Sequence, residues 1–268
     1  MQLFLDAAVA AAREAGALIR DRLGRYESID TKISAHDLVT DVDRASEQLL
    51  ADRLLTRFPG HLMLGEEAMV EGERRHDRHA DPSQVEYLWI CDPIDGTTNF
   101  VYGVPSCTVS IALAHYGQPV LGVVYDPARD ELFSAVRGEG AHLNGRRVQV
   151  RREERLAQAL LVTGFPVRQE LRLVSLDEVM RITPCCFNLR ALGSAALHLS
   201  YVAAGRLNGF WERGLHPWDL AAGYVLVTEA GGRMTGLDGS AYTLDTADFI
   251  ASNGPIHEEF RQIVQGES

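Results

Sequence analysis

The stretch Tyr87-Leu88-Trp89-Ile90-Cys91-Asp92-Pro93-Ile94-Asp95-Gly96-Thr97 is an apolar run that stops at a carboxylate. Tyr87 to Cys91 has the length and composition of a buried strand. Proline then stiffens the backbone, a second carboxylate follows three positions after the first, and glycine permits a sharp turn beside the hydroxyls of Thr97 and Thr98. Two acids at that spacing on a constrained loop can grip one hard cation, and the carbonyl of Ile94 between them is free to join. Without a cation they would repel each other. The competing reading is a plain Asp-Pro turn followed by an Asp-Gly turn, since all three are ordinary turn residues.

Outward from this stretch, the first half reads as helices and a largely antiparallel sheet. Residues 3–23 and Asp41 to Phe58 carry helical patterns ended by Gly24 and by Pro59-Gly60. Leu62-Met63-Leu64 is a short apolar run, and residues 68–84 read as a polar surface loop. Between Cys107 and Val136 lie strand-like runs separated by Tyr116-Gly117-Gln118-Pro119 and Asp126-Pro127-Ala128-Arg129-Asp130. His142 to Arg146 reads as a turn. After about residue 152 strands alternate with helices: strands at 160–162, Cys185–Leu189, Leu207–Trp211 and Phe249–Ser252, helices at 169–182, 194–204, 218–230 and 256–265. This is the pattern of a layered α/β second half. No linker separates the halves, so a single domain over 1–268, packed from halves of about 1–152 and 153–268, is expected.

Composition bounds the function. The 268 residues are 46% hydrophobic and 24% charged, as in an ordinary globular chain. The formal charge of 26 − 37 = −11 gives little attraction for nucleic acid or anionic membrane. An anionic substrate would need a bound divalent cation to reverse the field locally. Arg146-Arg147 and Arg151-Arg152 read as the wet face of a strand. Met1 to Asp6 lacks a basic leader, and no apolar run reaches the ~18 residues of a membrane span, so a cytoplasmic protein is expected. Cys91, Cys107, Cys185 and Cys186 form no C-x-x-C pair and read as small buried hydrophobes, not as a zinc site or thiol nucleophile.

Three further clusters carry acids. In Gly65-Glu66-Glu67 neighbouring acids diverge, so one can face a site, although a solvated acidic loop also fits. In Trp211-Glu212-Arg213-Gly214-Leu215-His216-Pro217-Trp218-Asp219, Asp219 opens a helix and could be a first-turn acid. His216 reads as a polar loop histidine. In Asp37-Leu38-Val39-Thr40-Asp41-Val42-Asp43, Thr40 or Asp41 could cap the second helix. Together these leave Asp43, Glu66, Asp92, Asp95 and Asp219 at loop or helix-start positions. Oxygen-only donors suit Mg²⁺, Mn²⁺ or Ca²⁺ and disfavour zinc.

Trp89 to Phe100 resembles the signature of the inositol monophosphatase family. So does Trp218-Asp219 followed by Ala221-Ala222-Gly223 and Thr228-Glu229-Ala230-Gly231-Gly232. Gly65-Glu66-Glu67, Asp37 to Asp43 and Gly193-Ser194-Ala195-Ala196 fall in the family's order. The resemblance implies an α-β-α-β-α layered sandwich (the inositol monophosphatase/fructose-1,6-bisphosphatase-like fold). It implies a homodimer that hydrolyses a phosphate monoester with two or three Mg²⁺ ions, Mn²⁺ being a possible substitute, and is inhibited by Li⁺. It implies that Glu66, Asp92 and the Ile94 carbonyl hold one metal, that Asp92, Asp95 and Asp219 hold a second, and that Glu66 helps a weaker third. Asp43 and Thr97 would orient and deprotonate water, and the Gly96 and Thr97 amides would hold phosphate. Glu212 and Gly193-Ser194-Ala195 would face the alcohol part, with Asp95 and Asp219 also lining the substrate site. Arg213 and Pro217 occupy variable places. The version around Glu212 to Asp219 looks like bacterial inositol-1-monophosphatases. Histidinol phosphate, fructose-1,6-bisphosphate and a 3′-phosphonucleotide are the alternative substrates, and a regulatory binding protein on the same fold is the alternative of another class.

Overall fold

The computed structural model describes residues 1–31, 38–67 and 80–267. Asp37 and residues 68–79 of the polar stretch lie outside them. Helices α1 (Gln2–Arg22) and α2 (Asp41–Arg57) flank a small ribbon of β1 (Ile29–Thr31) and β2 (Leu38–Thr40). A seven-stranded sheet follows: β3 (Leu62–Gly65), β4 (Tyr87–Asp95), β5 (Thr108–His115), β6 (Gln118–Asp126), β7 (Glu131–Val136), β8 (Gly140–Leu143) and β9 (Arg146–Val148), in that order across the sheet. The short helix α3 (Thr97–Val101) interrupts it. Only β3–β4 is parallel among these pairs.

The second half builds a five-stranded sheet from β10 (Leu160–Thr163), β11 (Asn188–Arg190), β12 (Gly209–Glu212), β13 (Arg233–Gly236) and β14 (Phe249–Ser252), in the order β11-β10-β12-β14-β13. It is parallel across β11-β10-β12 and antiparallel beyond. Helices α4 (Gln169–Ile182), α5 (Ala195–Ala203), α6 (Pro217–Glu229) and α7 (His257–Gln265) complete the chain.

The layers follow from the two-residue period of the strands. On β5, Val109, Ile111 and Leu113 face α1 and α2, while Ala112 and Ala114 face α5 and α6. On β12, Phe210 joins the middle layer and Trp211 the core under α4 and α7. Both faces of each sheet are covered, which is why the strands read as near-continuous apolar runs. The result is an α-β-α-β-α sandwich with α5 and α6 between the sheets. Gly122 permits the close approach of α6 to β6: a Cβ there would run into the Ala222 carbonyl.

Several expectations need correction. The strand read at Cys185–Leu189 is displaced to Asn188–Arg190, because Thr183–Cys185 forms a 3₁₀ turn around Pro184. Cys91 and Cys107 are buried, but Cys185 and Cys186 are only partly so, and all four are free. Burial pushes the Cys107 thiol up to about 12. Arg146 and Arg147 do lie exposed on β9, whereas Arg151 and Arg152 follow the strand. Within the polar stretch, Pro82–Gln84 is a 3₁₀ turn capped by Asp81. Among the described residues no helix is long and apolar enough to cross a membrane.

Candidate metal centre

β4 does not end at Asp92. It runs to Asp95 with a register shift between the two acids, so that Asp92 pairs with Ser110 and Asp95 with Thr108. Pro93 has no N–H to give the ladder, so the irregularity falls where proline is tolerated. The Asp92 carboxylate accepts the Ile94 amide at 3.0 Å, which closes the local turn. Gly96 then takes φ +99°, the left-handed region, as N-cap of α3. A Cβ there would meet the Gly193 carbonyl at 2.9 Å and the Ser106 carbonyl at 3.1 Å.

Asp219 reaches the same point from the third position of α6. It closes a capping box by accepting the His216 amide at 2.7 Å. Its capping role and its place at the cluster therefore coexist. One carboxylate oxygen from each of Asp92, Asp95 and Asp219 lies within 4.8 Å of the others. Glu66 stands beside them, since its charge and its hydrogen bond raise the Asp92 pKa.

Burial, first, and then the neighbouring charges hold this cluster against ionisation. Asp92 and Asp219 are pushed well above the carboxylate range by desolvation, with Glu66 and Asp95 adding repulsion. Asp95 is raised to about 6, burial outweighing the hydrogen bonds from Ser194, Ala196 and Ala195 that favour its charge. Crowded, desolvated oxygens of this kind fit a hard cation.

The Asp43–Thr97 pair stands beside this cluster. Thr40 caps α2 and Asp43 reciprocates, its Oδ2 accepting the Thr40 amide at 2.8 Å and the Thr40 hydroxyl at 2.5 Å. Its Oδ1 faces Thr97 Oγ1 at 3.0 Å. Thr97 Oγ1 also lies 3.1 Å from the Ile94 carbonyl. That carbonyl is thus not wholly free, as the sequence suggested, but shares one hydroxyl hydrogen with Asp43. Burial raises the Asp43 pKa, against the bonds from Thr40 and Thr97. Of the two acids in Gly65-Glu66-Glu67, Glu66 acts on Asp92, while the charge of Glu67 is felt at Arg44.

A cavity of about 1190 Å³ opens on the Asp95–Asp219 side and is lined by Gly193, Ser194, Ala195, Gly164 and Glu212 among others. Asp43, Glu66, Asp92 and Thr97 stand outside its lining. Glu212 is buried and pushed up to about 8, by desolvation and then by the Asp95 charge. Gly164 makes room for it, since a Cβ there would strike the Glu212 carboxylate.

Sequence reasoning missed the supports. Buried Glu178 accepts from Trp211 Nε1 at 3.0 Å and from Arg213 Nε at 2.6 Å, and Arg213 also binds Asp248 at 2.8 Å. This fixes the loop that follows Glu212 and gives Arg213 a definite place. Asn99 Nδ2 and Ser106 Oγ hold the Leu192 carbonyl at 2.8 and 3.0 Å, and His198 Nε2 accepts the Leu192 amide at 3.1 Å. These partners lie up to 93 residues apart in sequence, so no local pattern announces them.

Fold and site together define a layered α/β protein with a buried acidic centre able to hold a metal ion. The inositol monophosphatase family model matches residues 1–267. The chain is 43% identical to Nus factor SuhB of Pseudomonas aeruginosa over 259 residues, 94% of this chain and 92% of that one. It is 41% identical to the inositol-1-monophosphatase of Synechocystis sp. over 266 residues, 98% of this chain and 88% of that one. The Thermotoga maritima IMPase structure superposes with a TM-score of 0.89 at 34% identity, covering 100% of this chain and 98% of that one. The chain belongs to the inositol monophosphatase family.

Proposed function

We propose that this chain is a Mg²⁺-dependent phosphomonoesterase that hydrolyses inositol-1-phosphate or a related small sugar or polyol phosphate. The observation that carries this reading is the convergence of Asp92, Asp95 and Asp219 oxygens within 4.8 Å, beside the 3.0 Å Thr97–Asp43 pair. Glu66, Asp92 and the Ile94 carbonyl would hold one ion; Asp92, Asp95 and Asp219 would hold a second, with Glu66 assisting a weaker third. Bound Mg²⁺ would polarise the phosphate oxygens and lower the pKa of a bound water. Thr97 donates its hydroxyl hydrogen bond to Asp43, so its oxygen can accept one from the attacking water, and the water's proton would reach Thr97 Oγ1 as the threonine's own proton moves onto the Asp43 carboxylate. When Thr97 donates to Asp43, the Ile94 carbonyl is left available as a ligand. The Gly96 and Thr97 amides, at the start of α3, bind phosphate oxygens. The water oxygen would bond to phosphorus as the bond from phosphorus to the alcohol oxygen breaks in line, the departing oxygen taking a proton from solvent water to leave as the alcohol, with no phosphoenzyme. Glu212 and Gly193-Ser194-Ala195 receive the alcohol part, together with Asp95 and Asp219. A homodimer, inhibition by Li⁺ and a cytoplasmic location belong to the same reading.

A panel of inositol-1-phosphate, histidinol phosphate, fructose-1,6-bisphosphate and a 3′-phosphonucleotide tests it, assayed with Mg²⁺ or Mn²⁺ and with added Li⁺. Release of phosphate from inositol-1-phosphate that stops on chelation is expected. No metal-dependent release from any ester would sink the proposal. A second reading, a regulatory binding role, is supported by the relatives named Nus factor SuhB. An Asp92→Asn variant that has lost turnover but still rescues a deletion phenotype would favour it.

A further inference from the structure

One face of α2 presents Asp43, Ser46 and Glu47, at positions i, i+3 and i+4, and all three are fully buried. Each grips a different segment of the centre. Asp43 takes Thr97 Oγ1 at 3.0 Å, and Ser46 Oγ donates to the Pro93 carbonyl at 3.1 Å. Glu47 Oε2 accepts the amide of Glu67 at 2.6 Å. The capping box and the two hydrogen bonds of Asp43 and Ser46 account for those residues. Nothing in the proposed reaction uses Glu47, yet burying a carboxylate is unfavourable unless hydrogen bonds compensate it.

Gly65 supplies an independent observation. It ends β3, and a Cβ at that position would run into the Glu47 carboxylate. The carboxylate therefore lies against the backbone at Gly65 while binding the amide at Glu67, which brackets Glu66 from both sides. Glu66 is the acid whose charge and hydrogen bond act on Asp92. We propose that Glu47 is a positioning residue, whose buried carboxylate clamps the Gly65–Glu67 turn and so fixes Glu66 against Asp92. This rests on reading the Asp92 cluster as a metal centre. In that light α2 is a rigid ruler that sets the water-orienting pair, the bulged strand and the Glu66 turn at one mutual spacing.

Mn²⁺ binding, followed by electron paramagnetic resonance on the full chain, tests the proposal without using turnover, and Mg²⁺ half-saturation of phosphate release supplies a second readout. Glu47→Gln keeps the reach and an acceptor oxygen, so affinity within about threefold of the parent is expected. Glu47→Asp keeps the charge but withdraws the oxygens by one methylene, and a tenfold or greater loss is expected, in the ~10–100-fold range of outer-shell changes. Gly65→Ala, which forces a methyl into the same carboxylate, is expected to match Glu47→Asp and supplies the answer if that variant fails to fold. The reverse order, with Asp tight and Gln weak, would mean that charge rather than position matters and would overturn the proposal. Unchanged affinity in Glu47→Asp and Gly65→Ala, with only a lower melting temperature, would overturn it too. A parent chain that binds no Mn²⁺ would instead refute the metal reading itself.

Discussion

The carboxylate of Asp95 lies 2.7 Å from the amide of Ala196, 101 residues further along the chain. The same group accepts the Ala195 amide at 3.1 Å and the Ser194 hydroxyl at 2.5 Å. An acid of the first half thus caps α5 of the second, and these three donors oppose the burial that raises its pKa to about 6. Ser194→Ala removes one donor to the charged form, so the Asp95 pKa rises further. A metal ligand must be deprotonated, so Mg²⁺ half-saturation should increase severalfold at pH 6.5 and less at pH 8. Half-saturation measured at the two pH values checks this, and an equal effect at both would contradict it.

Asp92 is the acid shared between the two proposed ion positions. Asp92→Asn keeps the shape and removes the charge. Phosphate release should fall by at least about a thousandfold, with metal binding lost in calorimetry, as expected when a ligand common to both sites goes. Near-normal turnover would mean that the ligand assignment is wrong.

Thr97 has one hydrogen and two acceptors within reach, Asp43 at 3.0 Å and the Ile94 carbonyl at 3.1 Å. Thr97→Ala should lower kcat by about 10²–10⁴-fold, the usual range for losing a proton-transfer partner. Thr97→Ser, which keeps the hydroxyl, should recover most of the loss. Single-turnover phosphate release separates this from a change in binding.

The metal-free protein should lose stability as pH rises. Asp92 and Asp219 keep protons in the folded state that the unfolded chain releases, and so does Glu212, raised to about 8. Their folded pKa values lie above the unfolded ones, so they favour folding at low pH and cease to do so as pH climbs through the folded values. The buried histidines His198, lowered to about 3, and His257, lowered to about 4, act in the opposite sense below their ordinary value of 6.5. Between about pH 7.5 and about 8.5 the histidine contribution has faded, and the buried acids act together with the buried thiols of Cys91 and Cys107, whose pKa values are likewise raised and which act in the same sense. The melting temperature in chelator should fall across that window, and the rise on adding Mg²⁺ should grow. A Mg²⁺ effect of constant size would refute the linkage.

Arg213→Met should destabilise the fold by about 3 kcal/mol, because it leaves the carboxylate of fully buried Glu178 without its counter-ion. Urea denaturation measures the change. A drop below about 1 kcal/mol would show that Trp211 Nε1 alone satisfies Glu178.

The element pattern was legible where periodicity is strong. Residues 3–23 and 169–182 announced α1 and α4, and the apolar runs between Cys107 and Val136 announced three antiparallel strands. Asn144-Gly145 marked a turn that takes two positive φ values, +48° and +77°. β13 and the ribbon of β1 and β2 gave no such signal, because three or four residues hold too few periods to stand out. The continuation of β4 past Pro93 was equally hidden, since a bulge looks like a turn when its partner strand is unknown.

The acids divide in the same way. Asp92 and Asp95 were visible as a pair because a short loop fixes their spacing. Asp43 and Asp219 were visible, but Asp43 stood beside the candidate caps Thr40 and Asp41 and Asp219 could be an ordinary first-turn acid, whereas the structure gives each the capping hydrogen bonds together with a place at the centre. The sequence by itself determined the identity of the acids, the alternation that buries both sheet faces, and the sharp turn that Gly96 permits after Asp95. Only the tertiary structure decided that Asp95 would cap α5, that Glu47 would sit under Gly65, and that Arg213 would anchor the Glu212 loop. Local chemistry is written in neighbouring residues. Contacts between distant segments depend on how the two sheets close over α5 and α6, which no short stretch of chain encodes.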